Sequence, residues 1–222
     1  PKLTTAYGQV NLQNSKLVNL NLPALTTIQG NIYIYHNLKL EKVNLPKLKS
    51  MSGSNPSITL QNVKKLTEFV MPKNTDATVS LRLQNTGLKH FVYPKLNVRS
   101  LSMNQNYDLI DFVLPKWQGN RNSYYLRNNK VNGRFEIGIK SVAHGFGLYH
   151  NDIKNIRLPK LESVGHAFGV YNNKILEKLE LPALKTVGHA FNSQNTPKLH
   201  TIDMPKMKKI GHSFYLHTNK NL

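Results

Sequence analysis

Nine prolines recur along the chain, at Pro1, Pro23, Pro46, Pro72, Pro94, Pro115, Pro159, Pro182 and Pro205. Their separations are 22, 23, 26, 22, 21, 44, 23 and 23 residues. Proline lacks the amide hydrogen that a helix interior needs and its ring clashes with the preceding turn, so this spacing excludes one long helix. The interval of 44 is two periods, and Gly138 stands in the vacant slot. A fixed period of this length marks a repeat architecture, here about ten repeats of about 22 residues.

The neighbouring columns keep the same register. Three residues before the anchors stand Leu20, Val43, Phe69, Phe91, Phe112, Phe135, Ile156, Leu179 and Ile202, and one before them Leu22, Leu45, Met71, Tyr93, Leu114, Ile137, Leu158, Leu181 and Met204. Both columns are apolar throughout. Inside a repeat the apolar residues alternate, as in Leu179-x-Leu181, Phe168-x-Val170 and Ile32-x-Ile34. A period of two is that of a strand, with side chains pointing to opposite faces. Each repeat therefore reads as a coil of two or three short strands with tight corners. Each strand pairs with its equivalents above and below, and the inward side chains form one core that a single coil could not bury alone.

Asn14, Asn37, Asn62, Asn85, Asn106, Asn129, Asn151, Asn173, Asn195 and Asn219 recur once per coil. Asparagine tolerates a left-handed backbone and its amide can satisfy corner backbone groups, so this column reads as structural. Residues 120–134 fit the repeat poorly and read as a bulged corner.

The run Leu176, Leu179, Leu181, Pro182, Leu184, Val187, Gly188 resembles a leucine-rich repeat. It is most similar to the form in receptor L domains and in cell-wall proteins with L-domain-like repeats. The resemblance covers almost the whole chain. It implies a right-handed parallel β-solenoid that displays a binding face at a cell surface. It implies no catalytic residues. Eukaryotic L domains commonly carry cysteine-rich caps, and this chain has no cysteine.

The missing cysteine also excludes a disulfide scaffold, a zinc–thiolate site, an iron–sulfur cluster and a thiol nucleophile. No apolar run approaches the roughly 18 residues of a membrane span. The chain holds 27 Asn, yet no Asn-x-Ser/Thr acceptor with x other than Pro, which argues against a glycosylated ectodomain. The formal charge is +19 over 222 residues, and the 30 cations comprise 24 Lys and 6 Arg. Readers of nucleic acid lean on the planar fork of arginine, so the lysine bias weighs against that partner.

Three columns are candidates for function. On the second strand of each coil, Ile34, Leu60, Leu83, Leu126, Leu148, Val170 and Leu216 are expected to point inward. Tyr33, Tyr35, Arg82, Tyr125, Arg127, Tyr149, Tyr171 and Tyr215 then point outward, with amides between them. Such a stripe suits a glycan or an extended peptide, because rings give apolar area and amides and phenols give hydrogen bonds. A plain stacking ladder of tyrosines, favoured in strands, is the competing reading. Lys2, Lys47, Lys73, Lys95, Lys116, Lys160 and Lys206 follow the anchors and form a cationic edge. That edge is either a polyanion-binding row or a solvated, edge-protecting one. His144, His166, His189 and His212 form a ladder over the last four coils. No carboxylate recurs beside them, so no metal site is expected and the column reads as duplicated structure.

The 11 acidic residues do not converge on one column, and no nucleophile, phosphate-loop or dinucleotide motif is present. The expectation is a single solenoid over residues 1–222, a piece of a longer surface protein. It would be a non-catalytic, adhesin-like module, extracellular and Gram-positive in setting, with no cofactor. Its partner would be a glycan, an anionic wall or cell-surface polymer, or a host surface protein. The alternatives are a structural spacer and a polyanion- or nucleic-acid-binding repeat protein.

Overall fold

The structure is a computed structural model that describes residues 2–73, 75, 77–117 and 124–222; the side chains of Lys116 and Trp117 are not described. The described residues form strands, bends and turns with no helix. All strand pairs are parallel, and they build a β-solenoid of about nine turns with coils of about 23 residues. Ten anchors enclose nine intervals, which is why the turn count falls one below the repeat count.

Three strand faces surround the core. Face A carries Val10–Gln13, Ile32–Tyr35, Ser57–Val63, Thr78–Thr86, Asn97–Asn104, Tyr124–Arg127, Phe146–Tyr149, Phe168–Tyr171, Ala190–Gln194 and Ser213–His217. Face B carries the anchor strands, among them Lys42–Asn44, Glu68–Val70, His90–Val92, Phe135–Ile139 and Lys178–Glu180. Face C is a row of two-residue strands such as Thr27–Ile28, Ser163–Val164 and Thr186–Val187. Midway along, face A strands begin early, and Val98 pairs with Trp117, joining faces A and B into one 16-stranded sheet.

The apolar columns fill the interior. Leu40, Leu66, Leu88, Leu109, Leu176 and Leu199, the residues six before the anchors, are buried, as are the Phe and Leu three before them. Two phenylalanine stacks run along the axis on different walls. Phe69, Phe91, Phe112 and Phe135 lie 5.8–6.4 Å apart on face B, and Phe146, Phe168, Phe191 and Phe214 lie 5.3–5.4 Å apart on face A. Identical side chains at identical register meet at the strand spacing, so each ring contacts its counterpart above and below. At the last coil Phe214 and Leu216 are exposed.

Gly138 fills the proline slot for a steric reason. A Cβ on it would lie 1.9 Å from the carbonyl oxygen of Pro115 and 2.8 Å from its Cα. The register between these coils shifts between Leu114 and Trp117. The irregularity therefore begins before the stretch expected to bulge. Residues 124–134 instead follow the repeat, with Tyr124–Arg127 in register with Phe146–Tyr149 and Lys130–Val131 with Asp152–Ile153. Residues 120–123 of that expectation lie outside the described residues.

The asparagine column is two columns. Asn14, His36, Asn62, Asn85, Gln105, Asn128, His150, Asn172, Asn195 and Thr218 turn the corner after face A with φ of 50–57°. Asn37, Asn106, Asn129, Asn151 and Asn173 stand one residue later and are buried. There each Oδ1 accepts the backbone N–H of the preceding coil, as Asn151 does from Asn129 at 3.1 Å and Asn173 from Asn151 at 2.8 Å. Each Nδ2 donates to a face A carbonyl, as Asn151 does to Leu126 at 2.9 Å and Asn173 to Leu148 at 2.9 Å. Val63, Thr86 and Thr196 occupy the same position in other coils.

Among the described residues face B is interrupted once. Glu68–Val70 ends a separate three-stranded sheet and does not pair with His90–Val92. Tyr93 stands where other coils have Leu45, Met71 or Leu114, and its hydroxyl donates to the Phe69 carbonyl. Its larger ring holds the two coils apart. A hollow of about 420 Å³ lined by Phe69, Met71, Val92 and Tyr93 results.

Candidate functional site

Face A presents two outward columns, because both i and i+2 residues point away from the core. In register, Tyr33, Thr59, Arg82, Ser102, Tyr125, Gly147, Gly169, Asn192 and Tyr215 form one. Tyr35, Gln61, Gln84, Asn104, Arg127, Tyr149, Tyr171, Gln194 and His217 form the other. The expected single tyrosine stripe is thus divided. Tyr33 and Tyr35 make one patch, with centroids 5.7 Å apart. Three coils of Thr, Arg, Ser and amides then separate them from Tyr125, Tyr149 and Tyr171.

That second patch is built on glycine. A Cβ on Gly147 would lie 2.2 Å from Cε2 of Tyr149, and one on Gly169 2.3 Å from Cε2 of Tyr171. Each tyrosine ring lies over the glycine two residues before it on its own strand. The two rings are then parallel, 6° between planes and 5.1 Å between centroids. Tyr125 sits tilted 5.9 Å from Tyr149, and the Arg127 guanidinium lies 5.3 Å and 4.9 Å from their two ring centres. A cation over a ring face is attracted by the ring quadrupole. Burial pushes the Tyr149 phenol above its ordinary pKa, with the neighbouring phenols Tyr171 and Tyr125 adding to it and Arg127 opposing.

This geometry changes what the stripe can offer. Ring face meets ring face along the stack, so a ligand reaches ring edges and hydroxyls at Tyr149 and Tyr171 more than open faces. A hollow of about 260 Å³ opens beside them, lined by Tyr125, His144, Phe146, Tyr149, His166 and Tyr171. Two members of the histidine ladder, which the sequence placed in a column of its own, form one wall of it, His144 and His166. His166, His189 and His212 stack face to face, 4.7 Å apart and within 6° of parallel. His144 precedes them in register, the His166 N–H donating to its carbonyl at 2.9 Å.

The glycine-based stack can be probed directly. In the double variant G147A/G169A each new methyl meets the end of a flexible ring. The rings are expected to leave the stack while unfolding free energy changes by about 1 kcal/mol or less. The tyrosine band in near-ultraviolet circular dichroism should lose the part that Tyr149 and Tyr171 contribute, with the far-ultraviolet spectrum intact. A tyrosine band unchanged from the wild type would contradict the stacking.

Charge is distributed unevenly around the coil. Each coil has a seven-residue strip running from the histidine column across face A to the left-handed corner, as in 30–36, 56–62, 79–85, 144–150 and 166–172. None of the ten strips contains Asp, Glu or Lys. Together they hold Arg82, Arg99, Arg127 and seven of the nine histidines. The lysine edge belongs to another surface. Lys2, Lys47, Lys73, Lys95, Lys160 and Lys206 are exposed in the turns between faces B and C, and the side chain of Lys116 lies outside the described residues.

Glu68, Asp111, Glu162 and Glu177 lie elsewhere, in pairs that join one coil to the next. Lys42 reaches Glu68 at 2.6 Å, Lys154 reaches Glu177 at 3.3 Å, and Lys185 and Lys140 flank Glu162 at 2.9 Å and 3.7 Å. The hydrogen bond from Lys185 holds the Glu162 carboxyl below its usual range. Asp111 is likewise held low, first by the Arg134 backbone N–H. Among the described residues no three of His, Asp and Glu come together as a metal site. Nor, among them, is any helix long and apolar enough to cross a membrane.

Comparison with family models, with curated proteins and with solved structures gives no match to this chain.

Proposed function

We propose that the chain is a non-catalytic, adhesin-like binding module of a bacterial cell surface, which holds a glycan or wall polymer along face A. The observation that carries this reading is the strip free of carboxylate and lysine. A surface of phenols, amides and hydroxyls runs the length of a protein whose formal charge is +19. Such groups hydrogen-bond to sugar hydroxyls in either direction, and repetition at each coil makes the contact multivalent. The parallel coils and proline-anchored period support a leucine-rich, L-domain-like ancestry, and the absence of cysteine suits a bacterial branch of it. The lysine edge adds long-range attraction to anionic polymers. The strip itself carries no carboxylate that could serve as a general acid or base, which supports a non-catalytic reading.

A glycan array with the wild type and the variant Y125S/Y149S/Y171S tests the reading. These three residues form the contiguous patch. Their loss is expected to lower binding at least about tenfold, of the order of a few lost aromatic and hydrogen-bond contacts. The melting temperature should stay within a few degrees. Unchanged binding sinks the assignment of the site, and a blank array favours the spacer. Raising salt from about 50 to about 500 mM should weaken anionic ligands more than neutral ones, as expected for screening of the lysine edge.

A further inference from the structure

We infer that face A binds an acidic polysaccharide, sulfated or otherwise carrying repeated oxyanions, and that protonation of its histidines drives this binding in mildly acidic surroundings. The inference rests on the glycan-binding reading above and narrows it to a ligand class and a condition.

Histidine changes charge between about pH 5 and 8, whereas Lys and Arg stay charged and carboxylates stay ionised over most of that range. His36, His144, His150, His166, His189, His212 and His217 border face A, and the strips around them contain no carboxylate to neutralise them. Three fixed arginine charges on this surface would rise toward ten on full protonation. The rest of the protein changes far less, because only His90 and His200 lie elsewhere, and His90 is paired with Asp111 at 3.0 Å.

The ladder geometry makes that charge dependent on a ligand. His166, His189 and His212 stack at 4.7 Å, so adjacent imidazolium ions repel one another. The phenols of Tyr125, Tyr149 and Tyr171 face His144 and His166 in the shared hollow. Ser213 contacts His212 at 2.5 Å, and Lys209 lies on the strand leading into His212. None of these supplies a negative counter-charge near neutral pH. A polymer laid along the axis meets one histidine per ~4.8 Å and supplies it. By linkage, anion binding then draws in protons, and protons strengthen anion binding to the same degree.

A polysaccharide fits this surface better than a nucleic acid. Proteins that hold single-stranded nucleic acid offer open aromatic faces for bases to stack on. Here the faces of Tyr149 and Tyr171 are turned to each other, so the exposed rings of Tyr125 and Tyr215 stand apart, and the surface beside them is hydroxyls and the amides of Asn104, Gln84 and Gln194.

Calorimetry with the full chain tests this, using sulfated dextran, unsulfated dextran and single-stranded DNA at about pH 5.5 and 7.5 and moderate salt. Sulfated dextran is expected to bind at least about tenfold more tightly at the lower pH, with net proton uptake measured across buffers of different ionisation enthalpy. Unsulfated dextran should show no such ratio. In H166Q/H189Q the ratio should fall below about threefold. As a readout that needs no variant, histidine proton resonances should titrate at higher pH when sulfated dextran is present. A wild-type ratio within about twofold, a full ratio in H166Q/H189Q, or DNA bound as tightly with the same pH dependence would each overturn the inference. In the first two cases glycan binding that persists at both pH values leaves the broader reading standing.

Discussion

Replacing Asn151 with alanine is expected to lower the unfolding free energy by about 3–5 kcal/mol, from two or more buried groups left unpaired at about 1–3 kcal/mol each plus the lost packing. The Asn151 amide is fully buried. Its Oδ1 takes the Asn129 backbone N–H at 3.1 Å and the Asn129 Nδ2 at 3.2 Å, and its Nδ2 reaches the Leu126 carbonyl at 2.9 Å. Alanine leaves the buried Asn129 N–H without its acceptor. The Asn129 side chain keeps its bond to Met103 at 3.2 Å, so the loss stops short of the whole ladder.

Two comparisons isolate the cause. Asn172→Ala removes an asparagine from the exposed corner column, where the residue has φ 56° and donates to His150 at 3.3 Å. The cost there is chiefly the left-handed backbone, about 1–2 kcal/mol, because the bonds to His150 and from the Asn195 Nδ2 at 2.6 Å are exposed to solvent. Asn151→Thr should cost less than alanine, because Thr196 at this position keeps a bond to the Gln194 carbonyl at 3.3 Å. Denaturant unfolding of the three variants checks the order. Coil stability in a solenoid is shared with the nearest neighbours, so a mid-chain loss is also expected to broaden or split the transition. A cost below about 1 kcal/mol for Asn151→Ala would mean the ladder contributes little beyond solvent-equivalent bonds.

The same pair of columns shows where sequence reading stops. Proline spacing was enough for the coil, since each anchor closes one turn and the apolar positions are counted from it. The leucines at that offset are buried wherever a coil has neighbours on both sides. The asparagines merged because their offset from the anchor varies by two residues, and corner and ladder prefer the same amino acid for different reasons. The doublets Asn128-Asn129 and Asn172-Asn173, with His36-Asn37 and His150-Asn151, carried the signal. The first member bends the chain and the second bonds inside it.

The candidate site was legible in its residues and not in their arrangement. Alternation alone shows that Tyr149 and Arg127 face outward. It does not show that Arg127, Tyr149 and Tyr171 share one column while Tyr125 and Tyr215 share the other, since that requires the coil-to-coil register. The stack was announced by Phe-Gly-x-Tyr in two successive coils, at Phe146–Tyr149 and Phe168–Tyr171. Glycine in a strand interior marks a close approach, here of the strand's own tyrosine. The histidine ladder looked independent because it lies three to five residues from the tyrosines in sequence. Folding the corner between them brings both to one hollow. The break at Tyr93 left no trace in the pattern, because tyrosine counts as apolar and only its length separates two coils.

That tyrosine supports the second large effect. The protein is expected to lose about 3 kcal/mol of stability between pH 10 and pH 12, at 1.36 kcal/mol per unit of pKa difference. Burial pushes the Tyr93 phenol from 10.0 to about 12, partly offset by the Met71 backbone N–H. Below pH 10 folded and unfolded chains both hold the proton, and the full stability is present. Between pH 10 and 12 the unfolded chain ionises while the folded one resists, so ionisation favours unfolding until the folded phenol also gives way. Tyr149, raised in the same direction, adds to the loss. Tyr93→Phe keeps the ring and removes the proton. At pH 8 it should be less stable by about 1–3 kcal/mol, because the Phe69 carbonyl loses its donor. Its stability should then decline more shallowly with pH, so that the two proteins converge or cross above pH 11. Urea unfolding at intervals from pH 8 to 11.5, with tyrosinate absorbance followed in parallel, reads both slopes. Equal slopes would show that the phenol at the face B break ionises as readily folded as unfolded, and that water reaches it through the gap its own ring props open.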